Sequence, residues 1–261
     1  MFEFGLLFDV PLLLTSLTIL TGLLYLLDLF YFAKKRGATE DMPWLFDCAK
    51  SFFPIFLIVL LIRSLLIQPY RVPTGSLEPT IMPGDFIIVN QYAYGLRLPV
   101  LNKKIMEIGA PKRGDIALFR YPSDPNVIFV KRVIGLPGDH ISYRNKTLNI
   151  NGEIAQQTDL GMDLEVGRGL YLPVQLKTEM LGEISHRIFI KPNYREFEEF
   201  DIIIPVESYF MMGDNRDNSN DSREWGVVPE KNFIGKAVGI WMSWDHPNKT
   251  VRWKRIGNKI R

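Results

Sequence analysis

The chain has 261 residues, 47% of them hydrophobic and 23% charged, with a formal net charge of +2. This balance fits one globular domain of ordinary size plus a membrane anchor, and the scatter of the basic residues argues against nucleic acid as a partner. The single cysteine, Cys48, excludes an intrachain disulfide and has no Cys or His neighbour at metal-ligand spacing.

The first element is the uncharged, Leu-rich run Val10 to Leu27, which is long enough to cross a bilayer and predicts a span over about 6–32. It is not a cleaved signal peptide: Glu3 precedes it, Lys and Arg do not, and no small-x-small site follows. A second apolar run, 52–67, is interrupted by Arg63, whose guanidinium can snorkel to the interface. The alternative for this run is an interfacial or buried helix. The intervening loop, 33–51, carries Lys34, Lys35, Arg36 and Lys50, so the positive-inside rule puts it in the cytoplasm and everything after residue 68 on the outer side.

Beyond Pro69 the pattern changes to short runs of Ile, Val, Phe and Tyr punctuated by Gly, Pro, Asn and Asp, and the fold class is therefore mainly β. Strands are expected at 86–90, 115–121, 127–134, 147–150, 187–190, 202–204, 209–212 and 237–244. Residues 142–205 carry more charge and weaker strand signals, and read as a smaller β subdomain inserted into a split β core formed by 68–141 and 206–247. The basic stretch 248–261 reads as a solvated end.

Three segments bear chemistry. Ser76 lies in Pro73-Thr74-Gly75-Ser76, just past the second apolar run. The histidines, His140, His186 and His246, stand in no motif that would aim them at a serine, and Gly-x-Ser-x-Gly is absent, so the hydroxyl needs another base. Lysine can act as one only when neutral, which burial favours. With the strand period of two, Lys131 shares a face with Val127, Phe129 and Val133, while Arg132 faces the other way with Val130 and Ile134. A lone strand lysine is ordinarily an edge residue reaching water; the serine loop and the hydroxyl-rich loop 213–223 tip the balance towards chemistry. That loop fails the EF-hand registers starting at Asp214 and at Asp217, and its acids alternate with Arg216 and Arg223, so it reads as a self-compensated ion-pair loop without metal.

Taken in order, Pro73-Thr74-Gly75-Ser76 with Glu78-Pro79-Thr80, Gly84-Asp85, Arg113-Gly114-Asp115, Lys131 through Asp139, and the whole 213–223 loop resemble the bacterial type I signal peptidases. The two-span anchor and the β insertion match that family too. The resemblance implies a Ser76 nucleophile, a Lys131 general base oriented by the Ser219 hydroxyl, and an oxyanion held by the Ser76 N–H and the Thr74 hydroxyl. It implies further that Asp214 with Arg132, and Asp221 with Arg223, are ion pairs shaping the site, and that no metal or cofactor takes part. Leu77 departs from the Met more usual after the nucleophile, a volume-conserving change expected to alter groove packing without loss of activity.

The implied substrate is the small-x-small cleavage region of a signal peptide on an exported preprotein, bound extended. Phe86, Ile87, Ile88 and Val89 are expected to supply the edge strand it pairs with, or alternatively to pack in the core; Phe129 is expected to line the groove, and Phe119 and Tyr121 to meet lipid. The enzyme is expected in the bacterial inner membrane with its catalytic domain on the periplasmic side, in contact with phospholipid, and as a monomer. Two competing readings are a catalytically inactive signal-peptide-binding scaffold, which would bind without turnover, and a self-cleaving repressor-type protease, which would carry a DNA-binding domain in place of membrane spans.

Overall fold

The computed structural model describes residues 10–35, 42–65, 67–97, 104–167, 170–191 and 199–260. Two apolar helices come first, α1 (Val10–Leu27), extended by a π-helical turn at Asp28–Phe32, and α2 (Trp44–Leu65). Both are long and apolar enough to cross a membrane, over Leu12–Phe32 and Trp44–Leu61. They pack through Gly22, where a Cβ would come 2.8 Å from the Phe53 ring, and through a stack of Tyr25 on Phe53. Their remaining apolar surface, including Leu20, Leu23, Ile55 and Ile58, is exposed. The second helix begins well before the expected residue 52, because Pro43 suits a helix start and Asp47 falls in its first turn. Residues 6–9, Arg36 and the Arg63 side chain lie outside the described residues.

The strands, in chain order, are β1 (Ile67–Arg71), β2 (Asp85–Asn90), β3 (Leu96–Arg97), β4 (Lys104–Met106), β5 (Ile116–Arg120), β6 (Ile128–Gly135), β7 (His140–Arg144), β8 (Thr147–Ile150), β9 (Glu153–Ile154), β10 (Gln157–Gly167), β11 (Leu170–Leu181), β12 (Ile184–Ile190), β13 (Phe200–Ile203), β14 (Ser208–Met212), β15 (Val228–Pro229), β16 (Phe233–Asp245) and β17 (Thr250–Val251). The fold is mainly β. The chain divides into two compact units, the helices with Leu96–Glu107, and a β unit of Gln68–Gly95 and Ile108–Arg261.

Within the β unit the main sheet runs β1-β2-β16-β5-β6-β14-β15, with β17 added to β16. Period-two alternation builds its core: Ile87 and Val89 point inward from β2 to meet Leu77, Ile81, Ile116 and Ile240. A second cluster gathers Phe119, Val133, Tyr209, Met211 and Phe233, and a third joins Ile134, Phe210 and Met212 to the small sheet β13-β7-β8-β9 through Ile141, Leu148 and Ile204. A further sheet, β10-β11-β12, is dominated by a long hairpin that the sequence reading did not anticipate. Its charges, Asp159, Asp163, Glu165, Lys177 and Glu179, mask the alternation, and Gly161 marks a register shift in it.

Within 248–260 the chain packs back onto the main sheet at several points, although many of its residues are exposed. Thr250–Val251 extends the sheet, Ile260 is buried in the core, Arg255 Nη2 reaches Asp85 at 2.6 Å, and Arg252 Nη2 donates to the Trp244 carbonyl at 2.7 Å. Arg252 and Arg255 read as solvated by composition, yet Arg255 pairs with the buried Asp85 carboxylate and Arg252 with a backbone carbonyl of β16.

Candidate active site

Ser76 follows β1 on a loop fixed at both ends. Val72 exchanges backbone hydrogen bonds with the β2 side, donating to Asp85 O at 2.8 Å and accepting from Gly84 N at 2.9 Å. After the serine the chain turns tightly, with Glu78 N donating to Gly75 O at 3.1 Å and Ile81 N to Leu77 O at 2.9 Å. Leu77 and Ile81 are wholly buried and anchor that turn in the core. Ser76 itself is buried, whereas Thr74 beside it is exposed.

Lys131 stands in mid-β6, opposite Ala117 of β5, and is 5% exposed. Its Nζ lies 2.5 Å from Ser76 Oγ and 5.7 Å from the centre of the Phe129 ring. The structure thus brings together the serine and lysine that the sequence singled out. Burial pushes the amine down to about 8; the negative charge of Asp221 opposes that fall and the positive charge of Arg223 assists it.

Alternation sends the next side chain, Arg132, through the other face, where it grips Asp214 bidentately with Nε–Oδ1 and Nη2–Oδ2 both at 2.8 Å. The pair is fully buried and is also tied to the Gly114 carbonyl, at 2.7 Å from Arg132 Nη1, and to the Thr80 hydroxyl, which donates to Asp214. Burial alone would raise the Asp214 carboxyl, but the guanidinium outweighs it and holds the group below the usual range. On the same loop Asp221 pairs bidentately with Arg223, accepts from Gly213 N at 2.9 Å, and caps the short helix α3 (Ser222–Trp225). The Asp221 carboxyl is likewise held low, with Arg223 overriding the effect of burial.

Two expectations about this loop need correction. It is not self-compensated: Arg216 pairs with Glu179 of β11, with Nη1–Oε1 at 2.7 Å, and Asp217 pairs with Lys146 at 2.7 Å, so only Asp221 and Arg223 neutralise each other locally. The loop takes these counter-charges from β11, which carries Glu179, and from the turn between β7 and β8, which carries Lys146. Nor does the Ser219 hydroxyl bond the lysine. It is buried without a hydrogen-bond partner and stands against Gly213, where a Cβ would come 2.2 Å from Ser219 Oγ and 2.4 Å from Ser76 O. Only glycine fits between the loop and the serine.

The substrate-edge expectation for Phe86–Val89 also fails, because β2 is flanked by β1 and β16 and is not an edge. Ile87 and Val89 are core residues; Phe86 packs edge-on against Trp241, and Ile88 is half-buried. Phe119 is wholly buried among Phe129, Trp225 and Phe233 and does not reach lipid. Phe129 is half-buried and stacks on Tyr121 at 4.9 Å. Among the described strands the open edge beside the serine is the first half of β6: β5 pairs Ile128 to Arg132, while β14 joins the other side only from Arg132 onward.

Sequence reasoning missed a buried polar group on the other flank of Ser76. Glu78 accepts from Val166 N at 2.8 Å, and its carboxyl is pushed up to about 7, first by burial and further by Glu165, against the pull of the Val166 N–H. Asn215 donates from its side chain to Gly75 O at 3.2 Å and to Glu165 Oε2 at 2.8 Å, and from its backbone to Ser76 O at 3.1 Å. Glu165 is paired with Lys191 at 2.6 Å. Glu78 stood in plain view two residues after the serine; Glu165 gave no signal, because its role depends on the register of a hairpin whose alternation its own charge disguises. His186, buried within 3.6 Å of Glu179 and 3.9 Å of Asp214, is pushed down to about 4 by burial and is neutral at ordinary pH.

Chemically, a buried hydroxyl in contact with an amine that loses its proton near neutral pH is a nucleophile with its own base. Over residues 45–244 the chain matches the family described as Signal peptidase, peptidase S26. It is 43% identical over 280 residues to a Signal peptidase I of Pseudomonas fluorescens, covering 95% of this chain and 97% of that protein. The corresponding protein of Pseudomonas aeruginosa is 42% identical, again over 95% of this chain and 97% of its own length. A crystal structure of a signal peptidase I from Enterococcus faecalis aligns at 26% identity with a TM-score of 0.34, covering 50% of this chain and 98% of that one.

Proposed function

The chain belongs to the signal peptidase family, peptidase S26, and is a serine endopeptidase that cleaves signal peptides from preproteins; on that premise we propose that Ser76 and Lys131 form its catalytic dyad. The observation that carries this reading is the 2.5 Å contact between Ser76 Oγ and a buried Lys131 Nζ. The neutral amine takes the Ser76 proton as Oγ bonds to the scissile carbonyl carbon, and returns it to the leaving amine as the peptide C–N bond breaks. Water then hydrolyses the acyl-enzyme by the same proton path, regenerating both groups.

The Ser76 N–H and the Thr74 hydroxyl hold the oxyanion, each such donor being worth about 3 kcal/mol of barrier lowering. Arg132 with Asp214 and Asp221 with Arg223 keep β6 and the 213–223 loop in register. Ser219 contributes through packing against Gly213, its orienting hydrogen bond being unformed. The substrate segment, small-x-small before the cleaved bond, lies extended along the open edge of β6 at Ile128–Val130, next to Phe129. The enzyme acts as a monomer anchored by α1 and α2 in the bacterial inner membrane, with Lys34, Lys35 and Lys50 on the cytoplasmic side and the β unit facing the periplasm.

The test is to incubate the detergent-solubilised chain with a secretory precursor and to sequence the new N-terminus. Ser76→Ala and Lys131→Arg are both expected to be inactive, the latter because arginine keeps its proton in proteins. An active Lys131→Arg enzyme would refute the assigned base.

A further inference from the structure

We propose that Asn215, held in turn by Glu165 of the β10–β11 hairpin, is a positioning residue that fixes the plane of the Gly75–Ser76 peptide and thereby aims the Ser76 N–H at the reacting carbonyl oxygen. This rests on the dyad reading above and assigns its oxyanion donor a support.

Both carbonyls around the nucleophile depend on this one residue: Asn215 Nδ2 donates to Gly75 O at 3.2 Å and Asn215 N to Ser76 O at 3.1 Å. Gly75 O also accepts from Glu78 N at 3.1 Å, so both of its lone pairs are engaged. Because the peptide unit is planar and trans, its N–H points away from its C=O; a fixed Gly75 carbonyl fixes the Ser76 N–H. The second hydrogen of the Asn215 amide goes to Glu165 Oε2 at 2.8 Å, and Glu165 Oε1 meets Lys191 Nζ at 2.6 Å. Asn215 and Glu165 are each 1% exposed, so no water competes for these donors. The backbone on either side of Asn215 is pinned to β12, Phe189 N donating to Asp214 O at 2.9 Å and Arg216 N to Phe189 O at 3.0 Å.

A donor aimed at the oxyanion acts mainly in the transition state, so loosening it lowers kcat and leaves KM nearly unchanged. In the full chain with a precursor peptide, Asn215→Ala is expected to lower kcat about a hundredfold, the scale of a misplacement near 1 Å, with KM within about twofold. A kcat within about threefold of the parent, or a loss carried by KM, would overturn the proposal. The Glu165 pair tests it separately, including where Asn215→Ala does not fold. Glu165→Ala is expected to slow kcat about tenfold, and Glu165→Gln, which keeps an oxygen to accept from Asn215, to restore most of it. Equal kcat for Glu165→Ala and the parent, or no recovery with Glu165→Gln, would count against it. Cleavage surviving in Ser76→Ala would sink the dyad reading itself, and this one with it.

Discussion

Replacing Lys131 by methionine should stabilise the β unit at neutral pH while abolishing cleavage. The amine is 5% exposed, and its fall from 10.5 to about 8 is driven first by burial. That difference is worth about 3 kcal/mol against the folded state whenever the amine is charged. The folded value lies below the unfolded one, so between about pH 8 and 10.5 the unfolded chain binds more protons, and stability rises with pH across that window. Below it the full penalty applies. Methionine matches the shape and removes the charge, but leaves Ser76 Oγ without its partner, a loss of about 1 kcal/mol. The net gain at pH 7 is therefore about 2 kcal/mol, or roughly 4–8 °C in Tm. Denaturation of the full chain in detergent, followed by tryptophan fluorescence, reads mainly the β unit, which holds Trp225, Trp241, Trp244 and Trp253, with Trp44 in α2. Parent and variant should converge as the pH rises towards 10. A variant less stable than the parent at pH 7, or a gap that does not change between pH 7 and 10, would refute a buried amine of lowered proton affinity.

The same amine sets the pH–rate profile: kcat/KM should climb about tenfold from pH 7 to 9 and level off, following the neutral fraction of a group titrating near 8; a flat profile would exclude Lys131 as the base. Arg216→Ala leaves the buried Glu179 without its cation, and should lower unfolding stability by about 3–5 kcal/mol, with Arg216→Met in a Glu179→Met background recovering most of it. Ser219→Ala removes a buried hydroxyl that bonds nothing, so stability should hold or rise by up to about 1 kcal/mol; a loss beyond about 2 kcal/mol would reveal a bond to that oxygen.

The two residues in contact at the centre of the site were the ones most readable beforehand. Ser76 and Lys131 lie in separate motifs, yet a loop serine without a histidine and a lysine on an apolar strand face are unusual enough to attract notice. Strands that read as short, largely apolar runs bounded by turn residues, such as β5, β6 and β14, fell within a residue or two of their expected limits. Misreadings came where a tertiary partner decides. Phe86–Val89 carries the pattern of any half-buried strand, and nothing local says that β1 and β16 close both its edges. The acids and arginines of 213–223 looked mutually neutralising because the partners of Arg216 and Asp217, Glu179 on β11 and Lys146 in the β7–β8 turn, lie far away in the chain. Arg252 and Arg255 looked solvated for the same reason. Charge in a sequence announces polarity, while burial of that charge depends on what folds over it.

That dependence limits how freely the molecule could be cut down. The β10–β11 ribbon resembles a detachable decoration, and a protein engineer wanting a compact peptidase would be tempted to excise it. Doing so would strip Arg216 of Glu179 and Asn215 of Glu165, leaving a cation and an amide stranded beneath the nucleophile. A minimised version would have to rewrite positions 215 and 216 at the same time, so the ornament and the loop it covers can be redesigned only together.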